Sequence, residues 1–310
     1  MEKLLTKRTL CPNISKEDFQ ADLNCLFEIL QTSYGAYDYF GHENFASAKA
    51  KVEQVLSSIP FDFHGTISSL NASLSFIKDG HFRIGEADSP ALAPDHAVRY
   101  SRLLGIPVID CKKFWYDTDS EREELEQFAA SGAQYRDNTP LILDLRDNPG
   151  GSDVYMWDFF KGLFGTEPSF PYKYIQKYSP LFRASLRQNG FEEIACFEGD
   201  TEVSEEDGQI VSSRKPIYVL INENTASAAE SAIAYFKTVE SAVLVGTHSA
   251  GCFTCGNCIT VYLPHSHLPV YVGTGIILYE GDRNVDAEGG FQADLSVHEW
   301  KKILCPHTAL

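Results

Sequence analysis

Two polar turns, each following an apolar run, hold the residues of this chain best suited to chemistry. The first closes Leu141-Ile-Leu-Asp-Leu-Arg-Asp-Asn-Pro-Gly-Gly151, and the second closes Ile217-Tyr-Val-Leu-Ile-Asn-Glu-Asn-Thr-Ala-Ser-Ala-Ala-Glu230. Paired glycines, Gly150 and Gly151, end the first turn. Ser227 stands in the second, where a strand-like run gives way to a helix-like one. A serine at such a turn presents its hydroxyl, and backbone N–H groups beside it can hold an oxyanion. The chemistry that fits is acyl transfer. The competing use of Ser227 is that of a helix N-cap, and a Pro-Gly-Gly run also makes a plain tight turn.

The elements that must carry these turns follow from periodicity. Ser15 can cap a helix, with Asp18 three residues on, and Phe19, Leu23, Leu26, Phe27 and Leu30 then share one helical face. Phe45, Ala48, Val52, Val55 and Leu56 repeat the pattern until Pro60, and Ile67, Leu70, Leu74 and Ile77 form a third stripe ending at Gly80. Residues 1–80 are therefore expected to form an N-terminal helical bundle. Residues 81–310 are expected to form one α/β domain. Short apolar runs at Ile106–Ile109, Leu141–Leu143, Ile217–Ile221 and Ala242–Val245 alternate there with helix-like stretches at Glu121–Ala130 and Ser227–Phe236. The stretch 169–213 is less regular and reads as an insertion or lid, and 259–277 reads as β-structure.

The two turns resemble motifs of the tail-specific (C-terminal processing) and tricorn-like serine peptidases. Asp144-Leu-Arg-Asp-Asn-Pro-Gly-Gly151 is similar to that family's Asp-Leu-Arg-x-Asn-Pro-Gly-Gly, and Asn222-Glu-Asn-Thr-Ala-Ser-Ala-Ala-Glu230 to its Asn-x-x-Thr-Ala-Ser-x-x-Glu. Val243-Leu-Val-Gly246 follows at the family's spacing, and Asp79-Gly-His-Phe82 resembles the Asp-Gly-His segment of the tricorn-like and retinoid-binding-protein-like branch. The resemblance implies a Clp protease/crotonase-like catalytic domain with Ser227 as nucleophile. It also implies an oxyanion hole made by the N–H of Ala228 with that of Gly150 or Gly151. Its substrate would be a peptide or protein, with no cofactor and no metal.

A serine hydroxyl needs a base at neutral pH. The tail-specific branch supplies a downstream lysine, but that position is Cys252 here, and no lysine occurs between Lys237 and Lys301. The resemblance therefore shifts to the branch that uses a histidine. His81 is the candidate, with His248 in Gly246-Thr-His-Ser-Ala-Gly251 as the rival. A carboxylate should orient the imidazole. Asp286-Ala-Glu-Gly-Gly-Phe-Gln-Ala-Asp294 resembles the family's Glu-Gly-x-Gly-x-x-Pro-Asp, which points to Glu288, with Asp286 and Asp294 as alternatives. The family's PDZ module does not fit between His81 and Asp144. A binding protein without turnover on the same fold is the second reading, and an esterase is a third.

Composition limits the partners. The chain has 310 residues and a formal net charge of −17, which excludes nucleic acid and anionic membrane as natural partners. No apolar run reaches a membrane span, and the first ten residues carry charges where a signal peptide needs an apolar stretch. A cytoplasmic location is expected, with the eight cysteines as thiols, and a homo-oligomer is compatible with the sequence. Cys252, Cys255 and Cys258 are spaced as metal ligands could be. A fourth ligand would have to be His248 or the distant Cys305, so a redox-sensitive loop or a filled lysine position is the preferred reading.

Overall fold

A computed structural model describes residues 2–58, 60–85, 96–137 and 139–304. Cys305, named above as a distant metal ligand, lies outside them. The helices and strands are, in chain order, α1 (Lys16–Ser33), α2 (Tyr37–Phe40), α3 (His42–Ser58), α4 (Phe63–Ser73), β1 (Arg83–Ile84), β2 (Val98–Leu103), β3 (Ile106–Cys111), α5 (Asp119–Ser131), β4 (Leu141–Asp144) and α6 (Val154–Phe164). They continue with β5 (Pro171–Lys177), α7 (Pro180–Gln188), α8 (Glu192–Ala195), β6 (Thr201–Asp207), β7 (Ile217–Ile221), α9 (Ala228–Lys237), β8 (Ala242–Gly246), β9 (Cys255–Tyr262), β10 (Pro269–Tyr279) and α10 (Val297–Leu304). The fold is mixed α/β.

Two compact units divide the chain, and both are discontinuous. The first takes Met1–Pro90, Tyr174–Ser204 and Cys255–Ile277; the second takes Ala91–Lys173, Glu205–Thr254 and Leu278–Leu310. In the first unit α1 begins where expected: the Ser15 side chain accepts the Asp18 N–H at 3.0 Å. Its apolar stripe Phe19, Leu23, Leu26, Phe27 and Leu30 is buried. The polar Asp22 on the same helix is 1 % exposed and accepts the N–H groups of His265 and Ser266 at 2.9 and 2.7 Å. That pair of bonds joins α1 to the turn between β9 and β10, and it offsets the cost of burying a carboxylate. The third stripe is shorter as a helix than its pattern suggests. Asp62 caps α4 by accepting the Gly65 N–H, and the helix stops at Ser73, with Leu74 and Ile77 buried in the turns beyond it.

The second unit is built on a sheet of order β2-β3-β4-β7-β8. β2 and β3 are antiparallel, whereas β3-β4, β4-β7 and β7-β8 are parallel. The apolar runs at 141–143, 217–221 and 242–245 thus become neighbouring strands. Every residue of β4 is buried, as expected for a parallel strand covered on both faces. On one side Trp300 of α10 closes a cluster with Ile142, Leu220 and Val245. Elsewhere in this unit Phe128 of α5 stacks on Phe159 of α6 at 4.6 Å. The stretch 169–213 is regular, containing β5, α7, α8 and β6.

Candidate functional site

Because β4 and β7 are adjacent and parallel, the turns that follow them emerge at the same sheet end, where α/β folds place their ligands. Hydrogen bonds knit the two turns together. Asp147, at φ 63°, donates its N–H to Asn222 Oδ1 at 2.9 Å. Its carboxylate accepts from Asn222 Nδ2 and Asn224 Nδ2, both at 2.8 Å. These amide donors hold the Asp147 carboxyl below the usual carboxylate range. The Thr225 hydroxyl donates to Leu145 O at 2.9 Å, and the Ala226 N–H to Asn148 O at 2.9 Å. Asn148, fully buried, spans its own turn: its amide donates to Cys111 O and its Oδ1 accepts the Gly150 N–H at 2.8 Å.

Ser227 precedes α9 with φ 55° and ψ −123°. A non-glycine residue at such angles is strained by about 1–3 kcal/mol and persists only when its surroundings enforce it. Two neighbours do so. The Ser227 N–H donates to Glu230 Oε2 at 3.0 Å, and Gly150 lies so close that a Cβ there would fall 2.7 Å from Ser227 Cβ. Gly150 therefore supplies the clearance that the strained turn needs. Its own N–H is committed to Asn148. Gly151, at φ 129°, is exposed, and Ala228 opens α9, so the Ala228 N–H has no partner inside the helix.

Glu230 is the residue that the motif reading did not single out. It is fully buried, and its two oxygens accept four donors: the Ser227 N–H, the Ser249 hydroxyl at 2.6 Å, the Gly251 N–H at 3.0 Å and the Cys252 N–H at 2.8 Å. One carboxylate thus ties the serine turn to the loop 249–252. Burial pushes its carboxyl up to about 7, against the opposing pull of the Ser249 bond. The signal was present in the sequence. A serine followed three residues later by glutamate at a helix start is a capping-box spacing.

The remaining candidates lie as follows. In the first unit, half-buried His81 donates its backbone N–H to Asp79 Oδ1 at 2.8 Å, and its ring centroid is 6.5 Å from that of Tyr271. His248, in the second unit, is exposed, with Nδ1 placed to donate to Ser249 O at 2.8 Å. Glu288 is also exposed and pairs with Arg283 at 3.1 and 2.7 Å, which holds its carboxyl below the usual range. Asp286 Oδ1 accepts the N–H groups of Phe253 and Thr254, and Asp294 Oδ2 accepts that of Leu244. Cys252 donates its N–H to Glu230 Oε2. In the first unit the Cys255 thiol is 3.9 Å from the Tyr34 hydroxyl, and burial pushes the Cys258 thiol up to about 12. Among the described residues no three His, Cys, Asp or Glu side chains are grouped to hold a metal ion.

The model of peptidase family S41 matches residues 105–296, more than half of the chain and both turns. The chain belongs to peptidase family S41. That family is one of serine-type peptidases. A curated relative, the nisin-resistance protein of Lactococcus lactis subsp. lactis, is 32% identical over 149 residues, 47% of this chain. The match spans only 42% of that relative's length. Among solved structures, the chain is similar in fold to a putative peptidase from Parabacteroides merdae, at TM-score 0.58 and 18% identity over 92% of this chain and 90% of that one. It is likewise similar to mature CPAF, at TM-score 0.61 and 14% identity over 91% and 93% of the two chains. A lipoprotein from Streptococcus agalactiae matches at TM-score 0.53 and 19% identity over 98% and 100%. No described helix of this S41 chain is long and apolar enough to cross a membrane.

Proposed function

We propose that this S41 chain hydrolyses peptide bonds with Ser227 as its nucleophile. The observation that carries the reading is the conformation of Ser227: φ 55°, ψ −123° at a strand-to-helix turn, held by Glu230 and cleared by Gly150. A strained serine at a strand-to-helix turn is the hallmark of a nucleophile elbow. Ser227 attacks the scissile carbonyl. The oxyanion is received by the N–H groups of Ala228 and Gly151. The Gly150 N–H does not join them, because it already serves Asn148 Oδ1. His81 takes the Ser227 proton and returns it to the leaving amine, standing in for the lysine that Cys252 replaces.

Glu288 is the carboxylate assigned to orient His81. Its ion pair with Arg283 is solvent-exposed and therefore exchangeable, whereas Asp286 and Asp294 are each spent on backbone N–H groups. The catalytic part is assigned a Clp protease/crotonase-like fold on the parallel order β3-β4-β7-β8, and α1 to α4 the role of an N-terminal helical bundle. The substrate is a peptide or protein, and the net charge of −17 favours basic segments over acidic ones. The cytoplasm is the proposed setting, supported by the seven described cysteines, all of them thiols.

The test is hydrolysis of unfolded casein and of a matched ester by the purified chain, alongside the Ser227→Ala and His81→Ala variants. Cleavage of casein that both variants lose by about a thousandfold or more agrees with the proposal. Ester turnover without peptide turnover would make the chain an esterase, and casein cleavage undiminished in Ser227→Ala would end the assignment of the nucleophile.

A further inference from the structure

The first unit contains a buried polar connection that the reaction as described does not use. Tyr34 ends α1 and is fully buried. Its ring lies against Phe40, Phe45 and Phe82, with centroids 6.4, 6.5 and 5.7 Å away. From this apolar box its hydroxyl donates to Asp79 Oδ2 at 2.8 Å. The second oxygen of the same carboxylate, Oδ1, accepts the backbone N–H of His81 at 2.8 Å. The Phe82 N–H closes the turn on Asp79 O at 3.2 Å. Asp79 itself is only 9 % exposed.

We propose that Tyr34 and Asp79 form a buried strut that positions His81 for its proton transfer with Ser227. The proposal rests on the reading of His81 as the base. Both oxygens of Asp79 are engaged, so its carboxylate cannot turn without breaking a hydrogen bond at a site with little access to water. One bond leads to the end of an eighteen-residue helix and the other to the main chain of the histidine. The backbone that carries the imidazole is thereby fixed to a rigid element rather than left to the loop. Tyr34 suits this task. Burial pushes its phenol well above the usual tyrosine range, so it stays protonated and keeps donating wherever the enzyme would work. Neither residue touches the reacting atoms; both act through His81.

The geometry separates a positioning role from an electrostatic one. In Asp79→Asn the amide oxygen can still accept the His81 N–H while the amide nitrogen donates to the Tyr34 oxygen. Shape is kept and charge is lost. Asp79→Ala loses both bonds, and Tyr34→Phe loses one.

The experiment measures the second-order rate of Ser227 labelling by a fluorophosphonate probe across about pH 5 to 9, the range in which an imidazole base titrates. Thermal unfolding of each variant is followed in parallel. His81→Ala sets the floor. The strut predicts that Tyr34→Phe slows labelling about tenfold and Asp79→Ala about a hundredfold, the size of effect expected when a reacting group is misplaced. Asp79→Asn should stay within about threefold of the parent, and the pH midpoint should be unmoved in all three. Should Asp79→Ala fail to fold, Tyr34→Phe and Asp79→Asn decide. Parent-like labelling in Tyr34→Phe and Asp79→Ala, with His81→Ala at the floor, would overturn the strut and leave the base in place. A loss in Asp79→Asn as deep as in Asp79→Ala would assign the effect to charge and overturn it too. Parent-like labelling in His81→Ala would remove the base, and the strut with it.

Discussion

Ser227 occupies angles that its own Cβ disfavours, and the residues that enforce them are Glu230 and Gly150. Each gives a prediction. The Glu230 carboxyl moves from 4.5 in a solvated chain to about 7 in the folded one, because burial outweighs its hydrogen bonds. Between those values the folded protein holds a proton that the unfolded chain has released. Stability contributed by this group is therefore present below about pH 4.5, falls as pH rises toward 7, and is level above it. The loss should reach about 3 kcal/mol. Urea unfolding of the parent against Glu230→Gln at a series of pH values isolates it: the parent should lose ground to the variant as pH rises, and parallel curves would contradict the assignment. Gly150→Ala would place a methyl group 2.7 Å from Ser227 Cβ and 2.8 Å from Ala226 O at φ 99°. It should lower stability by about 2 kcal/mol or more and abolish labelling of Ser227, both visible in one preparation. Ser227 and the glycines were legible in the sequence because their motif is local. Glu230 was legible only as a cap, since its other partners come from residues 249–252.

At the scale of elements, the sheet brings the two turns together and α10 covers part of it. Strands β4 and β7 were readable because a parallel strand buried on both faces is written as a continuous apolar run, and the partly buried edge strand β8 carries such a run too. The extent of α4 was less so. Its stripe continues through Leu74 and Ile77, but these side chains are buried by turns rather than by further helix. The role of α10 was not read at all, because Trp300 gains its meaning only from Ile142, Leu220 and Val245, distant in the chain. Trp300→Ala should cost about 3–5 kcal/mol, measurable by denaturant titration, while leaving the turn of Ser227 in place. A loss below about 1 kcal/mol would show that α10 is not part of the core.

At the scale of the whole molecule, the chain visits each unit three times. A linear reading places a boundary near residue 80, where helix-like periodicity ends. In the fold, the segment 1–90 shares a unit with 174–204 and 255–277. Bonds such as Asp22 to the His265 and Ser266 N–H groups account for this, and no local pattern announces them. The fragment 81–310 should accordingly lack cooperative thermal unfolding, because it loses Asp22, which holds the turn between β9 and β10, and the Gly35 N–H, which donates to Gly273 O of β10. A sharp transition followed by circular dichroism would contradict that expectation.

Ser227 is proposed as a nucleophile made reactive by its strained turn. The most direct test is to treat the intact chain with a fluorophosphonate probe and locate the adduct by peptide mass spectrometry. A single adduct on Ser227 is expected, absent from Ser227→Ala and from chain unfolded before treatment. A folded chain that takes no label, or one that labels equally when Ser227 is alanine, would contradict it.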